Sequence, residues 1–233
     1  MKRQEYIDKL LKSYSVVSVL SDKNGGKVLR VRNGKTGKDM IVRSFENPVA
    51  AYDKLLKIKC RNLPLIYDVI NLSDGQIILE EFISGLTVAE VMESGRYRRS
   101  GAKKVISGIC DALTVLEREK IVHRDIKPEN VMISTDGRVV LLDFNASREI
   151  NNAPKDTVIM GTVGYAAPEQ LGVTESDART DIYAVGILLN VMMTGAHPSK
   201  RKAKGKAGRI VEKCTAINPD DRFKSAKKLK NVL

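Results

Sequence analysis

Two apolar runs, Val131-Met132-Ile133 and Val139-Val140-Leu141-Leu142, stand either side of Ser134-Thr135-Asp136-Gly137-Arg138. Asp-Gly between short β-branched runs signals a hairpin, because Gly takes the backbone angles of a tight turn without a Cβ clash. Folding about Asp136-Gly137 must bring the open ends together, and those ends are Asn130 and Asp143-Phe144-Asn145. Facing residues of antiparallel strands lie roughly 5 Å apart, so the pattern predicts the Asn130 amide beside the Asp143 carboxylate. Two hard oxygen donors suit Mg²⁺, which takes few protein ligands and completes its shell with water and phosphate oxygens.

The run leading into this hairpin is His123-Arg124-Asp125-Ile126-Lys127-Pro128-Glu129-Asn130. It sets an acid and an amide five positions apart, in the H-R-D-x-x-x-x-N order that phosphoryl-transfer catalytic loops use. Downstream come Gly161-Thr162-Val163-Gly164-Tyr165-Ala166-Ala167-Pro168-Glu169 and Asp181-Ile182-Tyr183-Ala184. With these phrases in this order and spacing, residues 14 to 233 resemble the catalytic domain of a eukaryotic-like protein kinase. Lys127, two residues after the acid, resembles the serine/threonine branch. Gly-Tyr-Ala-Ala-Pro-Glu-Gln and Asp-Ile-Tyr-Ala look like the bacterial members.

The resemblance implies an α+β, two-lobed fold. A small antiparallel-sheet N-lobe with one main helix would span residues 1–83, and a larger, mostly helical C-lobe residues 84–233. It implies ATP and Mg²⁺ as cofactors and a protein with a Ser or Thr hydroxyl as substrate. Asp125 is then the base and Lys127 the cation near the transferring phosphate, with Asn130 and Asp143 as metal ligands. Leu20, Gly26, Val28, Ile41, Arg43, Glu81, Ile83 and Met132 fall at nucleotide-contacting positions. Glu129 would face basic substrate residues, Arg124 couple to the activation segment, and Thr162 line the hydroxyl site. Glu169 with Arg222 and Asp181 match structural positions, and Leu55, Ile66, His123 and Phe144 an apolar spine. Thr157 is a candidate for activating phosphorylation, since phosphate there would pair with Arg124.

The N-terminal part departs from this pattern. The phosphate-covering G-x-G-x-x-G-x-V reads Ser21-Asp22-Lys23-Asn24-Gly25-Gly26-Lys27-Val28, keeping only the last glycine and the valine. The V-A-I-K lysine is Arg43, and guanidinium and ammonium are poorly interchangeable at a fitted site. Ile41 stands where a small residue packs on adenine, and Ala51 where the partner acid belongs. Glu80, at the position before the hinge, is predicted to pair with Arg43 in place of that acid. These substitutions favour a rival reading, a pseudokinase that binds nucleotide or scaffolds partners, whereas Asp125, Lys127, Asn130 and Asp143 together favour an active kinase.

The remaining features set the context. The net charge is +12, and residues from Lys200 onward hold twelve basic against three acidic side chains. Such a stretch suits an acidic partner. Nucleic acid is not expected, because no aromatic residue interleaves Lys200–Lys206 to stack on bases. No apolar run is long enough to span a bilayer, and three scattered cysteines suggest neither a disulfide framework nor a zinc site, so a cytoplasmic setting is expected. Strand patterns cover residues 14–45, 66–72 and 76–82. Helical spacing covers 1–11, 48–60, 88–94, 102–120, 181–194, 208–216 and 223–233.

Overall fold

The computed structural model describes residues 1–23, 25–95, 97–150, 162–171 and 175–233. The chain forms two compact units, one of Met1–Lys59 with Pro64–Ile83, the other of Cys60–Leu63 with Ser84–Leu233. The fold is mixed α+β, as the sequence predicts.

The first unit opens with helix α1 (Arg3–Leu10), followed by β1 (Tyr14–Lys23), β2 (Gly26–Asn33), β3 (Asp39–Phe45), α2 (Ala51–Leu55), β4 (Ile66–Leu72) and β5 (Gly75–Glu81). The strands make one antiparallel sheet in the order β1-β2-β3-β5-β4. Side chains alternate across a sheet with a period of two, so the register sorts them. Val28 pairs with Arg43, Arg30 with Ile41 and Ile41 with Glu80, placing Val28, Ile41, Arg43 and Glu80 on one face. Leu29, Val31, Met40, Val42 and Ile77 point to the other, where Ile7 of α1 completes their buried cluster. Helix α2 is shorter than the periodicity of residues 48–60 suggests. After Leu55 the chain tightens into three-residue turns, with the N–H groups of Lys57 and Ile58 bonding the carbonyls of Lys54 and Leu55.

The second unit contains β6 (Gly85–Thr87), α3 (Val88–Glu93), α4 (Arg99–Arg118), β7 (Ile121–Val122), β8 (Val131–Ser134), β9 (Val139–Leu141), β10 (Arg148–Glu149), α5 (Ala178–Thr194), α6 (Gly205–Cys214) and α7 (Ala226–Lys230). Helix α5 is almost wholly buried and packs against α4 and α6, so its near-continuous apolar sequence is a core signature. Strands β6, β8 and β9 form a small sheet that the β8–β9 hairpin organises. Gly85 is required in β6: a Cβ there would lie 2.2 Å from the Ile133 carbonyl oxygen.

The predicted hairpin exists, with a register one residue off. Val131 faces Leu141 and Ile133 faces Val139, and the Leu142 N–H bonds the Asn130 carbonyl at 2.8 Å. Asn130 therefore sits opposite Leu142, and Asp143 lies one residue beyond. The cause is the loop. The Ser134 N–H bonds the Arg138 carbonyl at 2.9 Å and the Gly137 N–H the Ser134 carbonyl at 2.8 Å, so three residues turn where the Asp-Gly signal suggests two. Gly137 takes the left-handed angle (φ +79°) that closes such a loop.

Candidate active site

The catalytic-loop residues of the second unit converge on the Asp125 carboxylate. Thr162 Oγ1 donates to Asp125 Oδ1 at 2.6 Å, and Asn130 Nδ2 donates to Oδ2 at 2.9 Å. Lys127 Nζ lies 2.8 Å from Oδ2 and donates to Thr162 Oγ1 at 2.8 Å. Four side chains predicted from sequence thus form one hydrogen-bonded knot. Burial pushes the Asp125 carboxyl up, but bonds from Lys127 and Thr162 and the Lys127 charge outweigh it, holding the group below the usual carboxylate range. It is ionised at neutral pH.

Asn130 is oriented by that knot. Its Nδ2 also donates to the Asp125 backbone carbonyl at 2.9 Å, so both amide hydrogens are spent inward and the carbonyl oxygen is the atom left for a cation. Asp143 follows β9 with φ +63°, a left-handed conformation that Asp tolerates better than most residues. Its Oδ1 accepts from the Asn145 N–H at 3.3 Å. An amide oxygen and a carboxylate at neighbouring positions fit Mg²⁺. Among the described residues, no group of three or more His, Cys, Asp or Glu side chains is gathered to hold a metal ion.

The loop backbone is strained and pinned. Arg124 also has positive φ, +67°, which costs about 1–3 kcal/mol for a residue of this kind and persists only where its surroundings enforce it. Asp181 supplies the enforcement. Its two carboxylate oxygens accept the N–H groups of His123 and Arg124, each at 2.8 Å. Burial pushes Asp181 up to about 7, against those two bonds and the Arg124 charge. Gln170 donates to the Arg124 carbonyl at 2.9 Å and accepts from the Ala167 N–H. Gln170 ends the Gly-Tyr-Ala-Ala-Pro-Glu-Gln phrase, but nothing local in the sequence marks it for this contact. Arg124 Nε donates to the Ala146 carbonyl at 2.7 Å, a first link to the segment that follows Asp143.

His123 is fully buried, packed edge-on against Phe144 with ring centroids 4.9 Å apart. Burial lowers its pKa, and its ring nitrogens face the Leu142 carbonyl and the Asp125 N–H. It is a packed, neutral imidazole, as the sequence suggests. Glu169 and Arg222 form the expected ion pair at 2.6 and 2.9 Å. The other Arg222 donors reach the carbonyls of Arg179, Ala216 and Ile217, so all five N–H groups are satisfied. Glu129 is exposed. Thr157 and Gly161 lie outside the described residues.

The first unit carries the substituted positions. Arg43 Nε donates to Glu80 Oε1 at 2.6 Å, and both side chains are buried, at 8% and 2% exposure. The register explains the pair: Arg43 faces Ile78, and Glu80 is the next residue on the same face of β5. Ala51 is buried and Asp53 exposed, so no acid of α2 substitutes for Glu80. The stretch resembling a phosphate-covering loop is a tight hairpin. Ser21 pairs with Val28, Asp22 with Lys27 and Lys23 with Gly26, and Lys27 makes a surface ion pair with Asp22 at 3.2 Å. Ile41 is buried on the Arg43 face, Ile83 is buried, and Leu20 is exposed. Glu81 closes β5, its N–H bonding the Leu65 carbonyl and its carboxylate the Leu65 N–H. Met132 lies half-buried in β8 of the second unit.

The sequence profile of the protein kinase domain family matches residues 14–232. The chain belongs to the protein kinase family. Its relatives place it with the serine/threonine kinases. It is 28% identical to an Aurora kinase of Candida glabrata over 242 aligned residues, covering 98% of this chain and 68% of that protein. Identity to the serine/threonine-protein kinase PknB of Mycolicibacterium smegmatis is 29%, over 66% of this chain and 29% of that one. With PknL of Mycobacterium tuberculosis it is 34%, over 61% and 36%. This kinase chain therefore spans about two thirds of the first relative and about a third of the two mycobacterial proteins. No helix among the described residues is long and apolar enough to cross a membrane.

Proposed function

We propose that this chain is a catalytically active serine/threonine kinase domain that moves the ATP γ-phosphate, with Mg²⁺, to a Ser or Thr hydroxyl of a protein in a bacterial cytoplasm. The observation that carries the reading is the contact of an aliphatic hydroxyl with the proposed base: Thr162 Oγ1 donates to Asp125 Oδ1 while Lys127 Nζ bonds that same hydroxyl. A substrate hydroxyl entering this place meets a carboxylate to take its proton and an ammonium to offset charge nearby. Asn130 steadies the carboxylate from its other oxygen. Asn130 Oδ1 and Asp143 would hold Mg²⁺, which when bound neutralises phosphate oxygens. Leu20, Gly26, Val28, Ile41, Arg43, Glu81, Ile83 and Met132 remain the proposed nucleotide contacts.

One observation favours the pseudokinase alternative. Arg43, the counterpart of the phosphate-pairing lysine, is already bonded to Glu80 in its own sheet. Transfer of labelled phosphate from Mg-ATP to a generic acceptor, for the parent and Asp125→Ala, separates the two. Incorporation by the parent that the variant loses is expected. Equal incorporation eliminates the enzyme reading, and ATP binding without incorporation by either selects the pseudokinase.

A further inference from the structure

We propose that an open cavity among α4, α5 and α6 of the second unit docks an acidic peptide segment bearing a bulky apolar residue. The cavity holds about 300 Å³, the small end of ligand-binding cavities and room for one or two large side chains. Its floor is apolar, with Leu189 and Met193 from α5 and Ile210 from α6. Its rim is cationic, with Arg99 and Lys103 from α4 and Lys206 from α6, and no acidic residue lines it among the described residues.

Some basic side chains near the C-terminus are neutralised by an acid. Lys230 pairs with Asp111 at 2.6 Å, Lys224 with Asp220 at 3.4 Å, and Arg222 is consumed by Glu169. Arg99, Lys103 and Lys206 are exposed and have no ion-pair partner among the described residues. Two of them also stand where a cation is unfavourable. Arg99 lies in the first turn of α4 and Lys206 in the first turn of α6, and neither turn contains an acid or a side-chain cap. The helix dipole places positive charge there already, so the rim cations add to it and an anion relieves both.

Charge complementarity and the floor together select the occupant. Three cations spread over two helices suit carboxylates spaced along a chain, and the floor takes an apolar side chain between them. Nucleic acid finds no aromatic platform among the described lining residues. As a docking point for a phosphorylation substrate, the cavity rests on the kinase reading; as a binding site, it does not.

A fluorescein-labelled synthetic peptide with Glu residues flanking one Leu-Phe pair, titrated with the full chain without ATP, tests the proposal by anisotropy. Saturable binding is expected, weakened about tenfold or more by Arg99→Glu/Lys103→Glu and, separately, by Lys206→Glu. Replacing Leu-Phe by Ser-Ser should weaken it as much. Circular dichroism checks that each variant folds, and phosphate transfer to a generic acceptor should be unchanged in all. Charge reversal without effect, or equal binding of the Ser-Ser peptide, overturns the proposal. Binding of phosphatidylserine vesicles but not the peptide, with the same charge dependence, overturns it in favour of a membrane surface. Because the titration omits ATP, its failure leaves the kinase reading standing.

Discussion

Arg43 and Glu80 are 37 residues apart in sequence, and each has been taken almost wholly out of water by the sheet that joins them. Such a pair contributes little net stability beside an apolar equivalent, but losing one partner strands the other charge. Glu80→Ala should therefore lower unfolding stability by about 3–5 kcal/mol, read from urea midpoints, and weaken ATP binding. Arg43→Met/Glu80→Leu should recover most of the stability and none of the nucleotide affinity. If Glu80→Ala leaves both quantities unchanged, the pair is neither a structural nor a binding element. The pairing was legible once the strands were placed, because period-two alternation puts both side chains on one face. Gln170 was not, since a glutamine that bonds a backbone carbonyl 46 residues away carries no local pattern.

Helix α1 lies ahead of the residues that match the kinase family, yet it belongs to the core of the first unit. Ile7 is buried among Leu29, Val31, Met40, Val42 and Ile77. Arg3 bonds the Gly25 carbonyl and Ser44 Oγ, and its backbone N–H bonds Asp74. The helix thus covers the sheet face opposite Arg43 and Glu80, and anchors the β1–β2 hairpin on the way. Ile7→Ala should cost about 2–4 kcal/mol in chemical denaturation. A loss near zero would mean that α1 frays and the face it covers is solvated. The amphipathic spacing of Tyr6, Ile7, Leu10 and Leu11 predicted the helix; which surface it covers is a tertiary fact. The β8–β9 hairpin carries the same lesson. Its apolar runs fixed the strands, while a three-residue turn set the register and moved Asp143 one place from facing Asn130.

Across the second unit, the bond between Glu169 and Arg222 ties residues 53 apart in a fully buried site. Burial pushes Glu169 up, but the Arg222 hydrogen bonds and charge hold it below the usual glutamate value of 4.5. A carboxyl lowered on folding stabilises the native state above its ordinary value, and that contribution is lost as pH falls through the lowered one. The parent should therefore lose stability below about pH 4.5. Glu169→Gln should be less stable at neutral pH and show a flatter acid limb, measured by thermal unfolding across pH. An acid limb as steep in the variant as in the parent would remove this pair as its cause.

By itself, the order of residues determined the class of this chain: short alternating runs became strands, the Asp-Gly turn a hairpin, and the spacing of Asp125, Lys127 and Asn130 a loop that could close on itself. Those features are local, and short-range sterics and hydrophobic periodicity decide them. Only the folded chain showed that Gln170 joins Asp181 in pinning a strained Arg124, and that cations with no ion-pair partner among the described residues ring an apolar cavity. Each joins residues distant in sequence, where packing and the satisfaction of buried polar groups select one partner among many.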